Sequence, residues 1–145
     1  MLPPLSTEGL LPSGIHAAEW PDLAARFGYN SRRRVLLSGF RDLCISLSSA
    51  GCPTVWLDGS FVTDKELPGD YDACWDWHGV DKDKLDPVLL DFTTTGRQVM
   101  QAKYFGDIFP AGTEGSSGLT FVDFFQQTRD GKTKGIVSLD PRRVP

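Results

Sequence analysis

Cysteine and histidine are scarce in this chain, basic residues are outnumbered, and no long hydrophobic run occurs. The three cysteines, Cys44, Cys52 and Cys74, are odd in number, widely spaced and free of any Cys-x-x-Cys pair. That pattern speaks against a disulfide framework or a zinc site and leaves them as buried thiols. The two histidines, His16 and His78, share no helical or strand face with each other or with the acidic residues below, and read as structural. No apolar stretch approaches the ~18–20 residues that a membrane span needs. The opening Met1-Leu-Pro-Pro-Leu-Ser-Thr-Glu8 has neither a basic nor an apolar segment, so no secretory signal is expected and the chain reads as soluble and cytoplasmic, with no membrane partner. Lys and Arg total 15 against 19 Asp and Glu, a net charge of −4. Without a basic surplus, non-specific DNA binding is disfavoured. A small nucleotide carried with its metal ions fits better, because carboxylates that hold Mg²⁺ make a chain acidic.

What is present is a globular composition, 40% hydrophobic and 23% charged over 145 residues, sized for one domain. Fifteen glycines and ten prolines interrupt it too often for a coiled coil. Residues 1–30 read as an N-terminal extension with a short helix over 19–28, Pro21 in its first turn and Gly28 past its end. Residues 31–145 read as a single domain. Ser31 is the expected N-cap of the strongest helix, in which Val35, Leu36, Leu37, Phe40, Leu43, Cys44 and Leu47 recur at helical spacing until Gly51. Arg32, Arg33 and Arg34 read as its solvated start. Strands are expected at 54–57, 70–77, 119–125 and 134–139, the last two as a hairpin, with a broken helix from Asp86-Pro87 to Tyr104 and a loop over 106–118. That order predicts an α+β (or α/β) fold, a mixed sheet flanked by helices.

Two features break the folding rules. Asp70 and Asp72 stand two apart on an expected strand, so their carboxylates share a face and repel unless a cation sits between them. Asp123 lies in Phe121-Val-Asp-Phe-Phe125, an apolar run fit for a core, where an ionised carboxylate needs a partner or a metal. Three aspartates on neighbouring strands would form an oxygen cage suited to Mg²⁺ or Mn²⁺. Upstream, Val55-Trp-Leu-Asp-Gly59-Ser60 ends a strand in a turn whose glycine lets the backbone approach a ligand and whose amides and Ser60 hydroxyl are donors for phosphate.

Gly59-Ser60, nine residues, then Asp70-Tyr71-Asp72, with Asp123 in a later apolar run, resembles the polymerase-β-type nucleotidyltransferase superfamily. More narrowly, the chain resembles short prokaryotic and phage proteins of nucleotidyltransferase-like type, on Leu11-Pro-Ser-Gly-Ile-His16, Trp56 to Lys65, Gly69-Asp-Tyr-Asp72 and Phe121 to Gln126. The resemblance covers about residues 31–139. It implies a nucleotidyltransferase-like fold and metal-dependent transfer of a nucleoside monophosphate from an NTP to a hydroxyl. Asp70, Asp72 and Asp123 would be the catalytic, metal-holding residues, with Gly59 and Ser60 cradling the phosphates. The sequence departs from the pattern after Gly59-Ser60, where the usual Arg-Gly-rich helix is replaced by Phe61 to Pro68. It departs again at Gly69, where Ser or Thr commonly stands, and in the long gap from Asp72 to Asp123. Lys65 is a candidate for the missing basic group, and Lys134 is the best further phosphate contact among Arg97, Lys103, Arg129, Lys132 and Lys134. Trp56, Tyr71, Trp75 and Trp77 read as core, with base stacking as the alternative. The acceptor would be a protein or an RNA end chosen with the help of a protein partner, and the resemblance implies a toxin–antitoxin or phage-defence setting. The alternatives are an inactive binding module of the same fold, acting as an antitoxin or regulatory subunit, and a metal-dependent phosphohydrolase on the same carboxylates.

Overall fold

The computed structural model describes residues 2–145 and is centred on a five-stranded mixed sheet. In chain order the strands are β1 (Gly14–Ala17), β2 (Val55–Asp58), β3 (Tyr71–Trp75), β4 (Gly106–Pro110) and β5 (Gly135–Leu139). They lie side by side as β1-β5-β2-β3-β4. β2 is antiparallel to both neighbours, whereas β1–β5 and β3–β4 pair in parallel. The helices are α1 (Trp20–Phe27), α2 (Ser31–Ser49), α3 (Thr94–Tyr104) and a short α4 (Phe121–Phe125). The chain is thus a mixed α+β protein. No helix among the described residues is long and apolar enough to cross a membrane.

One face of the sheet is closed by helices. Of the stripe read from the α2 periodicity, Leu36, Leu37, Phe40, Leu43, Cys44 and Leu47 are buried against Val55, Leu57, Tyr71, Ala73, Trp75, Ile108, Val137 and Leu139, whereas Val35 is exposed. α3 adds Met100 and Tyr104 to this core. At Gly39 a Cβ would stand 2.3 Å from the Tyr104 carbonyl oxygen, so only glycine lets α2 lie this close to the end of α3. The N-terminal segment supplies the edge strand β1 and the helix α1 to the same assembly.

Three local readings need correction. Residues 119–125 form no strand: Thr120 caps a helical turn by accepting from the Asp123 amide, and Phe121, Val122 and Phe125 pack on Cys74 and Ile136. A five-residue apolar run is compatible with either period, and here the cap decides. β5 consequently pairs with β1 and β2 and makes no hairpin with 119–125. The stretch expected as loop begins with β4, which joins the sheet edge beside β3.

The third correction concerns the arginines at the start of α2. Asn30, not Ser31, caps this helix, its side chain accepting from the Arg33 amide at 2.8 Å. Arg33 is fully buried and donates to the carbonyls of Phe27, Phe61, Thr63 and Lys65 at 3.2, 2.6, 2.7 and 2.5 Å. Arg32 donates to the carbonyls of Pro68, at 3.0 Å, and Gly69. Asn30 adds a bond from its side-chain amide to the Glu66 carbonyl. The helix start is therefore a set of staples holding the loop between Gly59-Ser60 and Asp70. Burial lowers the pKa of Arg33, opposed by Tyr29 and the charge of Asp64, and four carbonyl dipoles with the rings of Phe27, Tyr29 and Phe61 hold its guanidinium.

Candidate functional site: an acidic row on the open face of the sheet

Strand pleating sends alternate residues of β2, β3 and β4 to the face away from α2. The pairing register then does something alternation alone cannot. Asp58 of β2 stands opposite Asp72 of β3, and Asp72 stands opposite Asp107 of β4. Three carboxylates thus form one row across three adjacent strands, which are separated by ~4.8 Å each. Asp70 lies two residues before Asp72, at the mouth of β3. Gln101 on α3 donates to both Asp70 Oδ2, at 3.2 Å, and Asp107 Oδ1, at 3.0 Å, joining the two.

Electrostatics follow from the crowding. The carboxyl of Asp72 is pushed up to about 7, first by burial and then by the charges of Asp58, Asp70 and Asp107. Burial also raises Asp58, opposed by Lys134, whose ammonium lies 2.7 Å from Asp58 Oδ1. Asp58 is buried and Lys134 half-buried, and Lys134 enters from the turn just before β5. Arg97 reaches Asp107 from the solvent side at 3.5 Å.

Gly59 follows Asp58 directly and has a φ of 89°, a backbone state that glycine adopts without strain. A Cβ at this position would stand 3.1 Å from both the amide nitrogen and Oδ2 of Asp72. The glycine therefore allows the Gly-Ser turn to sit directly on the central aspartate. Ser60 opens a helical turn over Ser60–Val62. A cavity of about 760 Å³ opens over this end of the sheet, walled by Asp58, Asp72 and Lys134 on one side and by Phe121, Phe124 and Arg129 on the other.

The residues singled out from the sequence are thus distributed unequally. Gly59, Ser60, Asp70, Asp72 and Lys134 gather at one end of the sheet. Asp123 is exposed on α4, and the carboxylates that act on Asp72 are Asp58, Asp70 and Asp107. Lys65 is exposed in the stapled loop, where its carbonyl accepts from Arg33. Lys103 pairs with Asp86 and Lys132 with Glu8. His16 contacts the Pro12 carbonyl and His78 contacts Asp76. Asp58 and Asp107 were missed by the sequence reading. Asp58 was legible as the last residue of Val-Trp-Leu-Asp, two after Trp56 on the same face. Asp107 was hidden in a stretch whose Gly and Pro content reads as loop.

Among the described residues, no group of three or more His, Cys, Asp or Glu side chains stands ready to enclose a metal ion. The donor set is nevertheless of the right kind. It is all carboxylate oxygen, which suits Mg²⁺ or Mn²⁺ and not a soft cation, and Lys134 and Arg97 offset the four carboxylates only in part.

Comparison with known sequences gives one match: the model of a family of unknown function (DUF6932) aligns with residues 3–140. No curated protein and no solved structure matches the chain.

Proposed function

The chain belongs to this family of unknown function, and from its acidic row we propose that it is a nucleotidyltransferase dependent on Mg²⁺ or Mn²⁺, built on a nucleotidyltransferase-like fold. The observation that carries the reading is the register Asp58–Asp72–Asp107 beside a glycine turn that touches Asp72. Such a row costs stability unless a divalent cation and its ligand offset it. Asp70, Asp72 and Asp107 would hold the ions, with Asp107 taking the place that the sequence reading gave to Asp123. When bound, the ions would screen the triphosphate and favour attack at its α-phosphorus.

The chain's own groups fit the remaining steps. The acceptor oxygen bonds to the α-phosphorus while the bond to the pyrophosphate oxygen breaks, so pyrophosphate leaves and the hydroxyl proton must find a base. Asp107, in the place given to Asp123, would help to draw it off, and Asp72 gives up its own proton when the ions bind. The turn at Gly59 and Ser60 supplies donors for the phosphates beyond the scissile bond, and Lys134 adds the positive charge nearest the row. The acceptor we propose is a protein side chain or an RNA end in the cytoplasm, presented by a protein partner, in a toxin–antitoxin or phage-defence pair.

The test is incubation of the full chain with each α-labelled NTP, Mg²⁺ and a cell lysate, with Asp72→Asn as control. The proposal expects a labelled macromolecule and released pyrophosphate, both lost in the variant. Release of orthophosphate alone would overturn transfer in favour of hydrolysis.

One observation favours a second reading, a nucleotide-binding regulatory module without catalysis. Gln101 and Lys134 already engage Asp70, Asp107 and Asp58. Metal-dependent nucleotide binding with no label transfer under any condition would select that reading.

A further inference from the structure

A second cavity, of about 580 Å³, lies beside the first, at the β4 edge of the sheet. Its walls include Trp75, Trp77, Phe92, Phe109 and Phe121, with Arg97 at the rim. Phe109, Phe121 and Arg97 also wall the larger cavity, so the two adjoin across these side chains. The rings of Phe92, Phe109 and Phe121 form a stack, with centroids 6.3 and 4.7 Å apart and planes tilted by only 10° at each step. This is not a closed core. Phe92 is 44% exposed and Trp77 50% exposed, an aromatic surface that water covers at a cost.

We propose that this compartment takes the purine base of a nucleotide whose phosphates lie at the acidic row. Three features argue for that occupant. Phe109 follows Asp107 by two residues on β4, which puts their Cα atoms ~6.6 Å apart with both side chains on one face, about the span that ribose puts between a base and its first phosphate. The parallel rings already present the geometry on which a planar heterocycle stacks. The adjoining pair is also graded in the sense of a nucleotide, apolar at one end and charged at the other, with the Arg97 guanidinium 3.5 Å from Asp107 and 6.0 Å from the centre of Phe109 at the junction. The volume accommodates two fused rings, and Thr113 also lines the compartment.

The phosphate end of this assignment rests on the nucleotidyltransferase reading; the base end does not. Equilibrium dialysis of the full chain against adenosine without metal, and against ATP, CTP and tripolyphosphate with Mg²⁺, separates them. The expected result is saturable adenosine binding, ATP held at least tenfold more tightly than tripolyphosphate, and CTP weaker than ATP. Phe92→Ala, at an exposed ring, is expected to weaken adenosine and ATP at least fivefold and to leave tripolyphosphate unchanged. Adenosine binding that persists in Asp72→Asn, with label transfer absent from both proteins, would retain the base compartment and reject the transferase. The base compartment is overturned if adenosine does not bind, if CTP equals ATP, or if Phe92→Ala changes nothing. A concentration-dependent dimer that Phe92→Ala abolishes would overturn it in favour of a second copy of this chain.

Discussion

On β3, neighbouring residues meet opposite environments. Tyr71, Ala73 and Trp75 turn toward the helices and are buried among aliphatic and aromatic side chains, whereas Asp72 between them faces two other aspartates across the sheet. The same division runs along β2, where Val55 and Leu57 join the core and Asp58 joins the row. One face is thus built for stability. The other holds like charges at strand spacing, with Lys134 paired to Asp58 and Arg97 to Asp107. Two arginine-led staples at the start of α2 work for the open face from behind, fixing the loop that carries Gly59-Ser60 to Asp70. A fold that spends hydrogen bonds to hold a destabilising charge row in place is organised around that row.

The sharpest way to break this contrast is at Arg33. Arg33→Met leaves the four carbonyls it serves without their donor in a dry setting and is expected to cost more than about 3 kcal/mol in urea unfolding. A loss below about 1 kcal/mol would mean the loop is held by other contacts. Next in size is Lys134→Met, which strands Asp58 without its cation. A buried pair broken on one side loses about 3 kcal/mol, and the loss should shrink toward acid pH, where Asp58 takes up a proton.

Asp72→Asn should act in the opposite direction. In the folded chain its carboxyl keeps a proton up to about pH 7, against 3.8 for the ordinary value. The fold therefore gains stability that is fully present below about pH 4 and is lost as pH rises through 7. Asparagine removes that loss, so the variant is expected to be more stable than the parent by about 1–3 kcal/mol at pH 8 and no more stable at pH 4, read from thermal unfolding across pH. Gly59→Ala, forced into a left-handed backbone against Asp72, should cost about 1–2 kcal/mol. The smallest effect belongs to Asp123→Asn, an exposed change expected to stay within about 0.5 kcal/mol and to leave metal binding intact.

What was legible in the sequence divides along the same line. The covered face announced itself, because the α2 stripe and the alternation of β3 are long enough to fix a period. Asp70, Asp72 and the Gly-Ser turn stood out because they violate that patterning. The row as a whole did not, since register between strands far apart in sequence decides it, and no spacing rule relates Asp58 to Asp107. Asp123 was singled out because five apolar-flanked residues fit a strand as well as a helix, and the Thr120 cap chose the helix. Arg33 looked like surface charge because a guanidinium can be buried on carbonyl oxygens and aromatic rings, a partner set that charge patterns do not reveal.

The most direct measurement is calorimetric titration of Mn²⁺ into the parent and Asp72→Asn at pH 7, with proton release read from two buffers of different ionisation enthalpy. The acidic row predicts saturable binding to the parent with a fraction of a proton released from Asp72, and loss of both in the variant. Absence of binding at millimolar Mn²⁺, or equal binding to the two proteins without proton release, would contradict it.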